Sequence, residues 1–127
     1  MIVFVRGYTI EPGANLSGAD LRGASLWGAH AWRTDFSGAN LGGAYLSGAD
    51  LTGADLTGAD LSGSILWRAD FTGAILHNVN FTYADFCGTV LTSDQLMWLT
   101  LSGQITPNQA AGCKLLKTKG KLLIDSV

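Results

Sequence analysis

The sequence is poor in charge, proline, cysteine and histidine. Of its 127 residues only 14% are Asp, Glu, Lys or Arg, with 2 prolines, 2 cysteines and 2 histidines. A net charge of −2 without a basic stripe excludes a general nucleic-acid binder. The N-terminal apolar run, Ile2 to Val5, stops at Arg6. Such a run is too short for a secretory leader or a membrane span, so the expected place is the cytoplasm, away from membranes. There is no GxxxxGK[ST] phosphate loop among the 17 glycines.

What the chain has instead is repetition. Ala49 to Gly63 reads ADLTG ADLTG ADLSG, a period of five that fits neither an amphipathic helix nor a strand and points to a repeat architecture. Aligned on the large apolar residue, the phrase runs from Ala14 to Ser93 in sixteen units. Their centres are all Leu or Phe except Ala31. Two places before the centre stands Ala in twelve units, with Thr34, Ser64, Val79 and Thr89 as the exceptions, and two places after it stands Gly in eleven. Gly at that step suits a corner of positive φ.

The phrase resembles the A(D/N)LXX signature of the pentapeptide repeat proteins. The resemblance implies an all-β solenoid, a right-handed quadrilateral β-helix with four pentapeptides per coil, the centre and the small residue before it pointing inward. Sixteen units then make about four coils, roughly 19 Å long at the spacing of paired strands. The expected organisation is an N-terminal strand or cap over residues 1–13, the solenoid over 14–93 and a C-terminal cap over 94–127.

Both mouths of such a tube need covering. Asp94 would be an unpaired carboxylate in the inward small position, so the repeat should stop near Ser93. Thr92 with Gln95, and Thr106 with Pro107 and Gln109, carry capping-box signals for two short helices, with Gly103 and Gly112 as stops. CKLLKTKGKLLI suggests a hairpin. Ala31 leaves its side of the first coil under-filled, and Phe4 or Tyr8 is expected to pack over the opening.

Function is less legible. In the implied coil His30 and His77 fall on different faces at opposite ends and Cys87 on a third, so no metal cluster or nucleophile with its base results. The chain is expected to be noncatalytic and to need no cofactor. Asp20 and Asp60, Asp35 and Asp55, and Asp50 and Asp70 form acidic columns, read first as turn residues bonding nearby NH groups. Their alternative use follows from the resemblance, since some family members modulate a type II topoisomerase, gyrase, by mimicking DNA. The strongest departure from the repeat is one face whose outward positions hold Trp27, Tyr45, Ile65 and Trp67 with Arg68 beside them, extended by Trp32. Trp, Tyr and Arg are enriched at interface hot spots. The expected function is therefore an interaction scaffold for an unidentified protein partner, itself a monomer or weak dimer, unless a terminus covers the face. Cys87 and Cys113 could be bonded, latching the cap to the rod for about 3.5 kcal/mol, or remain free in a reducing compartment.

Overall fold

The computed structural model describes residues 1–116, and its backbone turns with the period of the sequence. Parallel bridges join residues twenty apart, beginning with Asn15 to Asp35 and ending with Asp70 to Val90. The centres from Leu16 to Phe71 donate their NH onward along the stack, as Leu16 does to the Asp35 carbonyl at 2.7 Å, and Asp35 returns a bond to Ala14 at 2.9 Å. Twenty residues per turn at five per side make the four-sided β-solenoid that the repeat implies.

The corners explain the glycines. Ala19 donates to the Leu16 carbonyl at 3.0 Å, closing a four-residue turn with Gly18 at φ 69° in its third position. That is the geometry of a type II turn, which favours a residue without a Cβ. Four corners do without glycine: Arg33, Arg68, Asn78 and Tyr83 stand at φ 56°, 57°, 57° and 61°. Left-handed backbone costs an L-residue about 1–2 kcal/mol. Tyr83 gets little packing in return, being 91% exposed. Tyr83→Gly is expected to raise stability by about 0.5–1 kcal/mol once glycine's extra freedom in the unfolded chain is set against the relieved strain. A urea midpoint that falls instead would mean that the Tyr83 ring supports the corner.

All sixteen centres are buried, Ala31 among them, and so are nearly all the small residues before them. The polar exceptions are buried as well, each with its hydroxyl bonded to a carbonyl: Thr34 to Glu11 at 3.0 Å, Ser64 to Leu61 at 2.7 Å and Thr89 to Leu66 at 2.6 Å. A hydroxyl of alanine-like size is tolerated inside a tube when its hydrogen bond is made.

The N-terminal segment forms a hairpin rather than one strand. β1 (Val3–Val5) pairs antiparallel with β2 (Tyr8–Ile10) through a turn at Arg6 and Gly7, both at positive φ. Alternation sends Val3 and Val5 against the core and Phe4 outward, 79% exposed. Of the two residues expected over the opening, Phe4 points away, while Tyr8 packs against the core, where Ile10 is the fully buried residue.

At the other end β3 (Val90–Thr92) runs into α1 (Ser93–Leu101), followed by α2 (Pro107–Gly112) and β4 (Lys114–Leu116). Both capping boxes form, Thr92 with Gln95 and Thr106 with Gln109. Gly103, at φ 77°, follows the first helix. The proposed hairpin is corrected in its first half: β4 pairs in parallel with β3, Val90 opposite Lys114. It continues the stack because Lys114 donates to the Thr89 carbonyl at 2.8 Å. The second half of the proposed hairpin lies outside the described residues.

Three glutamines finish the open backbone of the last turn. Gln95 Nε2 donates to the carbonyls of Phe71 and Ala74 at 2.6 and 2.9 Å, and Gln109 Nε2 to those of Phe81 and Ala84 at 2.8 and 3.2 Å. Gln104 bonds Leu76 O at 2.7 Å and accepts from Val79 N at 3.1 Å. The remaining side is closed by backbone, Gly88 N to Gly112 O at 2.8 Å.

Candidate functional site

Residues one place past the centre share an outward column when they are twenty apart, which stacks Trp27, Ser47, Trp67 and Cys87 on one side of the rod. Beside them run the corners Gly28, Gly48, Arg68 and Gly88. Together with Gly112 and Lys114 these line a groove of about 740 Å³. Trp27 is 60% and Trp67 48% exposed, and no described segment covers them. The Ser47 hydroxyl between them is out of contact with solvent and has no hydrogen-bond partner among the described residues.

Arg68 owes its direction to the strained corner. Its stem runs over Gly88, where an added Cβ would meet Arg68 Cγ at 3.3 Å. Glycine at 88 leaves room for that stem, and Arg68 lines the groove. The two described ion pairs are elsewhere, both on Asp20, with Arg6 and Arg22 at 2.9 Å. Arg68 and Lys114 thus make no ion pair among the described residues, and the groove lining contains no carboxylate.

The six residues expected to form the aromatic surface divide. Trp27, Trp67 and Arg68 come together in the groove. Tyr45 and Ile65 pair in the adjoining column, which also holds Ser25 and Asp85. Trp32 stands apart in a separate hollow with Arg33, Asp50 and Thr52. Ser47 follows from the same twenty-residue count that groups the tryptophans. Lys114 does not, because two helices intervene between it and the last repeat.

The acidic columns are spent on turns. The side-chain oxygens of Asp20, Asp35, Asp50, Asp55, Asp60 and Asp70 each accept from the backbone NH two residues on, at 2.9 to 3.3 Å. Asp20 is held far below the usual carboxylate range by its hydrogen bonds to the Arg22 side chain and backbone, and Asp35 is lowered by Ser37. His30 and His77 remain far apart; the His77 ring lies against Trp98, centroids 4.5 Å apart. Among the described residues no group of three or more His, Cys, Asp or Glu could hold a metal ion.

The candidate bond between the cysteines does not form in the structure. Cys87 is exposed in the groove, whereas Cys113 is half-buried against the core with its thiol 3.5 Å from the Gln109 carbonyl. Burial pushes the Cys113 thiol up to about 12. Since the thiolate is the reactive form, a disulfide reagent at pH 8 should find one fast thiol, Cys87, and a second only as the chain unfolds. Two slow thiols, or none without reductant, would contradict this arrangement.

The family model described as pentapeptide repeats (8 copies) matches residues 14–53 and 54–92. Among solved structures, the pentapeptide repeat protein Rfr23 from the cyanobacterium Cyanothece 51142 is 33% identical over 57% of this chain and 53% of its own, with a TM-score of 0.41. A pentapeptide repeat protein of the Arabidopsis thaliana thylakoid lumen is 29% identical over 90% of this chain and 87% of its own, with a TM-score of 0.44. QnrB1, a plasmid-mediated fluoroquinolone resistance protein, is 18% identical over 82% of this chain and 51% of its own, with a TM-score of 0.30. The chain spans about half the length of Rfr23. No curated protein matches it significantly.

Proposed function

This chain belongs to the pentapeptide repeat family, and from that premise we propose that it is a noncatalytic scaffold of four coils, closed by α1 and α2, that binds another protein through the groove at Trp27 and Trp67. The observation that carries this reading is the pair of half-exposed tryptophans in one column, beside an arginine with no ion pair among the described residues, where most units of the repeat place Ser or Thr. A contiguous apolar patch on a globular surface marks an interaction site more often than chance exposure does. The described helices include none long and apolar enough to cross a membrane, and we place the protein in the cytoplasm, where a reduced Cys87 is the expected state.

The test is a pull-down with the wild type against the Trp27→Ser, Trp67→Ser double variant. Both side chains point outward, so the variant should keep its melting temperature and lose the partner. If every captured protein is retained by the folded variant, the groove is not the binding surface. A topoisomerase-directed role has weaker support, because the Asp carboxylates that would mimic DNA phosphates are engaged in turns. Supercoiling by purified gyrase is expected to be unchanged by a large excess of this protein.

A further inference from the structure

Resting on that reading, we propose that the groove takes an extended acidic segment of the partner, with an aromatic side chain seated between Trp27 and Trp67 and a carboxylate about three residues away at Arg68 and Lys114. The first part follows from spacing. The two tryptophans are separated by two coil repeats, roughly 10 Å at the strand spacing. A flat ring midway lies about 5 Å from each indole, inside the 4.5–7 Å range over which aromatic pairs attract. An aliphatic side chain would fill less of the gap and gain no such geometry.

Charge supplies the second part. The chain as a whole carries −2, yet among the described residues the groove is lined by two cations and no carboxylate. Arg68 and Lys114 stand at its C-terminal half, and neither is paired among the described residues. A guanidinium with no side-chain partner among the described residues favours a carboxylate over any neutral partner. From the midpoint between the indoles to this basic end is about two further repeats, roughly 10 Å, which an extended peptide covers in about three residues. The recognised pattern is therefore aromatic-x-x-acidic. A basic segment would meet Arg68 and Lys114 with like charge, and a second copy of this chain would have to bring an acidic column in which one oxygen of each carboxylate is already bonded in a turn.

The experiment is fluorescence anisotropy with labelled six-residue peptides, GFSGED against GASGED and GFSGKK, on the intact chain. GFSGED should bind, with GASGED and GFSGKK each weaker by about tenfold or more. Trp67→Ala should weaken GFSGED by about tenfold, and Trp32→Ala by less than about twofold. Arg68→Gly restores the usual corner residue and so keeps the fold; it should weaken GFSGED by about fivefold and flatten its salt dependence. Equal binding of GFSGED and GFSGKK, indifference to Arg68→Gly, or no binding of GFSGED at millimolar concentration overturns the proposal. So does a dimer in sedimentation that Trp67→Ala dissociates, since a second copy would then be the occupant. If the pull-down depends on Trp27 and Trp67 while GFSGKK binds better than GFSGED, the scaffold reading stands and the acidic pattern falls. If the double variant loses nothing, both fall.

Discussion

Replacing Phe81 by alanine is expected to lower stability by about 3–5 kcal/mol. The ring is 1% exposed and stands at the junction of the last turn with its lid. It meets Phe71 edge-on at 6.4 Å and 88°, and Phe86 at 5.0 Å and 64°. Its truncation therefore removes two aromatic contacts as well as buried area, and the void cannot collapse easily. Hydrogen-bonded backbone holds the tube wall at its width. On the lid side, Gln109 is fixed to the Phe81 carbonyl itself. Urea denaturation followed by circular dichroism measures the loss. A change below about 1 kcal/mol would mean that α2 sinks into the vacancy, and that the lid is softer than its hydrogen bonds suggest.

Gln95→Ala is the second large effect, about 2–3 kcal/mol. This amide has three partners at once: Nε2 serves the Phe71 and Ala74 carbonyls, and Oε1 accepts the Thr92 NH at 2.8 Å. Losing it leaves two carbonyls at the tube's end without donors and removes half of the capping box of α1. Gln95→Glu separates the two roles. A carboxylate can still accept from Thr92, as in any capping box. However, it has nothing to donate to the carbonyls and brings a charge against their negative ends. The Glu variant is therefore expected to be at least as unstable as the Ala variant, with faster amide exchange in α1. A Glu variant as stable as wild type would show that only the helix cap matters.

The sequence makes the solenoid legible because each of its rules is local and repeated. Leu or Phe at the centre, Ala before it and Gly after it are steric requirements of one side of the tube, and sixteen copies average out the exceptions. The helix starts were equally readable, since Thr92 and Gln95, or Thr106 and Gln109, sit within one turn of each other. What was hidden depends on residues far apart in sequence. Gln95, Gln104 and Gln109 find their carbonyls 21 to 28 residues back, where no short motif records the pairing. The N-terminal hairpin is not legible, because Arg6 takes a positive φ that its side chain does not advertise. In the groove, Trp27 and Trp67 could be matched by counting in twenties. Lys114 reaches them only through the path of α1 and α2.

The bridges that join residues twenty apart also govern how the chain folds. Loop-closure entropy depends on the number of residues enclosed, and here every successive closure encloses the same number. The first pair of turns must be brought together with no template to land on, and forms the slow step. Each later turn then adds to an existing edge, so growth resembles zipping. Lengthening such a chain by one more turn would deepen the equilibrium well while leaving the nucleation barrier almost where it was, giving slower unfolding at nearly constant folding speed.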